Sequence, residues 1–124
     1  MIIPILALSL LAQASHPAKQ ITIFGNSADR LVKNCREVVH IDKGEDGNEV
    51  SAQSCLHYLE GVYDGQSFAA GMNGGKYPVC LDSEVDIVQM AKVVVKYGDE
   101  HPEELHELAI KLVNDALKAA YPCH

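Results

Sequence analysis

The stretch Cys55-Leu-His-Tyr-Leu-Glu-Gly-Val-Tyr-Asp-Gly65, continuing through Gln66-Ser-Phe-Ala-Ala-Gly71, decides how the chain is read. Leu56, Leu59, Val62, Tyr63, Ala69 and Ala70 recur at three- and four-residue steps, the period of a helix. Gly61 and Gly65 stand four apart, with Ala69 at the next such step, so one stripe of this helix is nearly bare. A glycine inside a helix costs about 1 kcal/mol against alanine. Two on one stripe imply that another backbone comes close there. Tight helix packing within the chain is the simplest form of that approach. A dimer seam or a ligand crevice are the others, although small-residue steps drive association chiefly in membranes.

Working outward, Asn48 or Ser51 can cap the start of this helix, because a short polar side chain accepts from an unpaired first-turn N–H. Met72-Asn-Gly-Gly75 stops it, since glycine takes the left-handed backbone that helix ends favour. Upstream, Asn26 or Ser27 offers a cap for a first helix whose apolar face is Leu31, Val32, Cys35 and Val38 or Val39. Lys43-Gly-Glu-Asp-Gly-Asn48 between the two is a polar turn. Its acids lack the register of a calcium-binding EF-hand loop.

Downstream, Lys76 to Leu81 is a connection, and Ser83 with Asp86 three residues on resembles a capping box that opens a third helix. Val93-Val94-Val95 alone favours a strand. The apolar series Val85, Ile87, Val88, Met90, Ala91, Val94 and Val95 instead predicts a largely buried helix to about Tyr97. Gly98-Asp-Glu-His-Pro102 breaks the chain, and Pro102 suits the first position of a fourth helix, with Glu103 and Glu104 at its positive end. Leu105, Leu108, Ala109, Leu112, Val113, Ala116, Leu117 and Ala120 form its stripe, and Tyr121-Pro122 ends it. The fold class is all-α: a compact bundle of about four helices.

The first residues, Met1 to Ala14, form a short apolar run ending in Ala12-Gln13-Ala14, the small-x-small pattern of a signal-peptidase site. They carry no lysine or arginine. Cleavage is expected after Ala14, followed by a flexible arm over residues 15–25 and a single helical domain over 26–124. Four cysteines, Cys35, Cys55, Cys80 and Cys123, behind an export signal read as two disulfides. Four cysteines allow three pairings, and spacing does not choose among them. The chain of 124 residues has a formal charge of −7, all of it beyond residue 14. That balance makes nucleic acid and anionic membrane poor partners, and a basic protein a natural one.

Six histidines prompt a search for metal ligands. His101 and His106 are five apart, which does not align them on one helix face. His106-Glu107 begins like a zincin motif but lacks the second histidine. Cys-x-x-Cys is absent, and paired cysteines offer no thiolate nucleophile. Phosphate-binding and serine-nucleophile motifs are likewise missing. Glu60 and Asp64 lie one helical turn apart on a face expected to be solvated. No enzyme chemistry, metal or cofactor is expected.

Cys55-Leu-x-Tyr-Leu-x-Gly-Val-x-Asp-Gly65, then Cys80-Leu81, then Val93-Val-Val-Lys-Tyr97 with His101-Pro-Glu-Glu104, and finally Tyr121-Pro-Cys123, resembles the Rap/Tai family of type VI secretion immunity proteins. The match runs in family order from about Leu31 to Cys123. Asp82 stands where the family carries a proline after Cys-Leu, and the Lys43 to Asn48 loop is peculiar to this chain. The resemblance implies an all-α, disulfide-bonded periplasmic protein that binds and blocks a secreted peptidoglycan amidase effector. It implies a homodimer, and inhibition by a loop inserted into the amidase cleft. On this chain Gly98, Asp99, Glu100 and His101 are the candidate plug. It also implies the pairings Cys35 with Cys55 and Cys80 with Cys123. Gly61, Gly65 and Ala69 then read as scaffold, packed within the subunit or across the dimer. Two other readings compete: a secreted all-helical carrier of a small apolar ligand, and an envelope stress protein that exposes apolar surface on acidification.

Overall fold

The computed structural model describes residues 26–124; the expected signal peptide and N-terminal arm lie outside the described residues. Among the described residues four helices form, α1 (Ala28–Asp42), α2 (Glu49–Met72), α3 (Ile87–Glu100) and α4 (Ala109–Ala120), with one 3-10 turn at Pro102–Glu104. Both disulfides close as the family resemblance implied, Cys35 to Cys55 and Cys80 to Cys123. Their sequence separations of 20 and 43 correspond to about 3 and 4 kcal/mol on the chain-entropy model.

Helix α1 starts at Ser27, whose side chain accepts from Arg30 N at 3.3 Å. Its inner face is Ala28, Leu31, Val32, Cys35 and Val38, all buried, and it packs against both α2 and α3. Asn48 caps α2 by accepting from Ser51 N at 2.9 Å, and its own N–H donates to Glu37 Oε2 at 2.7 Å, which fastens the loop to α1. Gly74, at φ 71°, lies just past the end of α2, as the glycine run predicts. The buried residues of α2 are Ala52, Cys55, Leu59 and Val62. From Tyr63 to Met72 none is buried, so beyond Val62 only half-buried Tyr63 is an apolar side chain packed against the core.

Two helix starts fall later than expected. The capping box at Ser83 does not form; Val85 N instead bonds back to Asp82 O at 3.0 Å. Asp86 is the cap of α3, accepting from Gln89 N at 2.8 Å. The valine run is helical, with Val94 and Val95 buried beside Met90 and Ala91.

The fourth helix begins at Ala109, not at Pro102. Continuous helix would need Leu105 O and Glu107 O as internal acceptors. The first turn of α1 takes them instead: Asp29 N donates to Leu105 O and Ala28 N to Glu107 O, each at 2.9 Å. Ala109 N in turn donates to Asn26 O at 2.8 Å. A helix start carries N–H groups without internal partners, and here the 105–109 backbone supplies the acceptors. Leu108 consequently leaves the expected stripe and is 58% exposed, while Leu112, Val113, Ala116 and Leu117 fill the core.

Among the described residues every buried side chain is apolar. Leu59, Leu112 and Leu117 are fully enclosed; a buried leucine contributes about 1.5–3 kcal/mol. The chain end is tied to the connection between α2 and α3 by the second disulfide, by an isolated bridge between Val79 and Pro122, and by Cys80 N donating to Tyr121 O at 2.9 Å.

Candidate partner-facing surface

The four residues expected to form an inserted loop do not form one. Gly98, Asp99 and Glu100 make the last turn of α3, and His101 is its C-cap. The helix runs three residues beyond Tyr97 because Gly98 is part of its buried face. A Cβ at Gly98 would lie 2.6 Å from Val32 Cγ2 and 3.2 Å from Val32 Cγ1, so the absent side chain is what lets α3 lie against α1. Gly98 therefore points into the molecule and presents nothing to a partner.

Asp99 and Glu100 are exposed, and His101 is half-buried. Asp99 takes a two-point contact from Arg36 on α1, Nη2 to Oδ1 at 2.7 Å and Nη1 to Oδ2 at 3.2 Å. The hydrogen bonding holds the Asp99 carboxyl below the usual carboxylate range and raises the Arg36 guanidinium. Glu100 lies 3.8 Å from Lys96, one turn back. The His101 ring stacks on Tyr97 with centroids 4.1 Å apart, and its Nδ1 is 3.1 Å from Glu103 Oε1. Glu103 is held below the ordinary carboxylate range, first by a backbone N–H and then by His101.

Beneath this rim, Tyr97 donates to Glu104 Oε1 at 3.3 Å. The Tyr97 hydroxyl is pushed up by burial, then by the neighbouring carboxylates Glu104 and Asp115. Glu104 Oε2 is buried without a hydrogen-bond partner, with Lys111 Nζ 3.8 Å away. Lys111 also meets Asp115 at 2.9 Å and Glu107 at 3.1 Å, and these carboxylates raise the ammonium well above its ordinary value. His101, Glu103 and Glu104 bring three potential ligand atoms within 4.8 Å of one another. Histidine spacing does not reveal this grouping; its signal in the chain is His101-Pro102-Glu103-Glu104. Lys111 supplies a cation facing Glu104, which makes Glu104 part of an ion-pair network with Lys111, Glu107 and Asp115.

The bare stripe of α2 also departs from its expected role. Gly61, Gly65 and Ala69 are exposed, and a Cβ at either glycine would meet nothing within 4 Å. Packing within the subunit is thereby overturned as the reason for these glycines. On the same outer part of the helix Phe68 and Met72 are 71% and 73% exposed. Tyr58, Gly61, Val62 and Gly65 line a shallow groove with Ile110 of α4 on its other side. A second groove, of about 470 Å³, lies between Val38 and Ile41 of α1, Ala52 and Leu56 of α2, and Val88 of α3. Among the described residues no helix is long and apolar enough to cross a membrane.

The described residues form an all-α domain closed by two disulfides. The sequence pattern of the Rap1a immunity proteins matches residues 27–123, nearly all of the described chain. The protein belongs to that family, and membership supports a non-enzymatic role. No curated protein and no solved structure matches the chain.

Proposed function

We propose that this protein is a periplasmic immunity protein that binds and inhibits a type VI secreted peptidoglycan amidase. The family match over residues 27–123 carries the reading. Two features of the molecule support it. The disulfides suit an oxidising compartment, and the end of α3 offers an acidic surface whose side chains are already held. Asp99 is clamped by Arg36 and His101 rests on Tyr97, so little side-chain freedom remains to be lost on binding. The contacting group is then Asp99, Glu100 and His101 on a helix end, with Gly98 acting only through the packing of α3.

The test uses a peptidoglycan amidase effector, sought first among the reading frames neighbouring this one. The chain should form a stable complex with it and abolish peptidoglycan cleavage. Replacing Asp99, Glu100 and His101 together with alanine should weaken inhibition about tenfold or more, on the scale of one lost central charge contact. A melting curve alongside shows whether the variant is folded. Full inhibition by a folded triple variant would rule out this surface, and absence of any complex would sink the amidase reading.

A homodimer completes the proposal. The outer part of α2 carries Gly61, Gly65 and Ala69 beside exposed Phe68 and Met72, an apolar face with no partner in the subunit. Phe68→Glu should convert a dimer to a monomer of half the mass by light scattering, with helix content unchanged. A wild-type chain that is monomeric at high concentration refutes the dimer.

A further inference from the structure

The two disulfides sit in opposite surroundings. Cys35 and Cys55 are both 0% exposed, enclosed where α1 meets α2. Cys80 and Cys123 are both exposed; Pro122 and His124 on either side of Cys123 are exposed too, while Cys80 stands between buried Val79 and half-buried Leu81. Thiol–disulfide exchange needs a thiolate to reach a sulfur along the S–S axis, so access decides which bridge reacts.

The exposed bridge also fastens a segment with few backbone ties to the rest of the domain. Between Lys76 and Val85, one backbone hydrogen bond, Cys80 N to Tyr121 O, joins the connection to the rest of the described chain. The other anchors are side chains and one bridge: buried Val79, bridged to Pro122, the Tyr77 ring against Tyr63 with its hydroxyl donating to Asn114 on α4, and half-buried Leu81 and Val85 against the core. Helices α1 and α2 are joined by the buried bridge independently of this one.

We propose that Cys80–Cys123 is an exchangeable clasp, a site for attack by a dithiol reductant, whose opening loosens the 76–85 connection and the chain end while Cys35–Cys55 stays closed. One thiolate of the reductant attacks a sulfur of the bridge. The S–S electron pair leaves on the other sulfur, which takes up a proton, and a mixed disulfide forms. The reductant's second thiolate then attacks its own bound sulfur and releases the remaining cysteine as a thiolate, which is protonated in turn. The bridge has gained two electrons and two protons, and the dithiol has become a disulfide. A protein carrying a reactive dithiol is the class of partner that fits.

The experiment treats native protein with dithiothreitol, blocks free thiols with N-ethylmaleimide at intervals, and maps the adducts by peptide mass. Adducts are expected on Cys80 and Cys123, with none on Cys35 or Cys55 until denaturant is added. Hydrogen exchange of the blocked protein should quicken at residues 77–81 and 121–123 and stay unchanged in α1. Cys80→Ser combined with Cys123→Ser should give the same exchange pattern without any reductant. Opening of both bridges at one rate, or of neither without denaturant, would overturn the selectivity. Unchanged exchange at 77–81 would overturn the loosening. None of these readouts involves an amidase, so they stand or fall apart from the immunity reading.

Discussion

Gly98 of α3 and the pair Gly61 and Gly65 of α2 are all helix-interior glycines, yet they face opposite ways. Gly98 is buried, and the space a Cβ would need is filled by Val32. Gly61 and Gly65 look outward, with open space where their side chains would be. The same helix-propensity cost is offset inside the subunit in the first case and not in the second. A glycine row on a helix thus marks a place where closeness is permitted; only the neighbouring surface shows whether it is used.

The largest expected effect follows from Gly98. Gly98→Leu should destabilise the protein by about 3 kcal/mol, the upper range for overpacking a filled core. Val32 is 4% exposed and β-branched, so it cannot swing aside. Urea unfolding measures the loss, and Val32→Ala in the same chain should recover part of it. Wild-type stability in the single variant would show that α1 and α3 are not in such close contact.

Gly61→Ala and Gly65→Ala reverse the sign. Each should raise stability by about 1 kcal/mol, because alanine is the better helix former and its methyl group meets nothing. The comparison belongs in the Phe68→Glu background, where association does not contribute. A loss of stability there would mean that the stripe does pack within the subunit. Gly61→Leu should likewise fold, and any effect it has should appear in the dimer mass rather than in the melting of the monomer.

What was legible in the chain was local. The apolar spacing of α1, α2 and α4 follows the helical period, and the caps at Ser27 and Asn48 are the short polar residues that precede those stripes. What was not legible depends on residues distant in sequence. Leu105 to Leu108 reads as helix until its carbonyls are claimed by the first turn of α1. Gly98 next to Asp99 and Pro102 reads as a chain break until Val32 is brought against it. The candidate contact group shares this limit: family resemblance points to Gly98, Asp99, Glu100 and His101 as an inserted loop, whereas Arg36, which fixes Asp99, is 63 residues away in sequence. The disulfide pairing was open on spacing and followed only from family resemblance.

The smallest effect is expected one residue beyond Gly98. Arg36 and Asp99 are 43% and 53% exposed, so their pair contributes about 0.5 kcal/mol, the middle of the range for surface pairs. Because the Asp99 carboxyl is held below its ordinary value, its stabilising contribution is complete above the usual carboxylate range, near about pH 4. It is lost as the pH falls through the lowered value and the carboxylate takes up a proton. Asp99→Asn should therefore be slightly less stable than the parent at neutral pH, with the gap closing in acid. It should also close in about 1 M salt, where the screening length is about 3 Å. A gap that survived both conditions would make Asp99 a packing residue like its neighbour Gly98. A gap that closes in both separates the two: one residue holds α3 against α1 by having no side chain, the other holds a charged side chain ready at the surface.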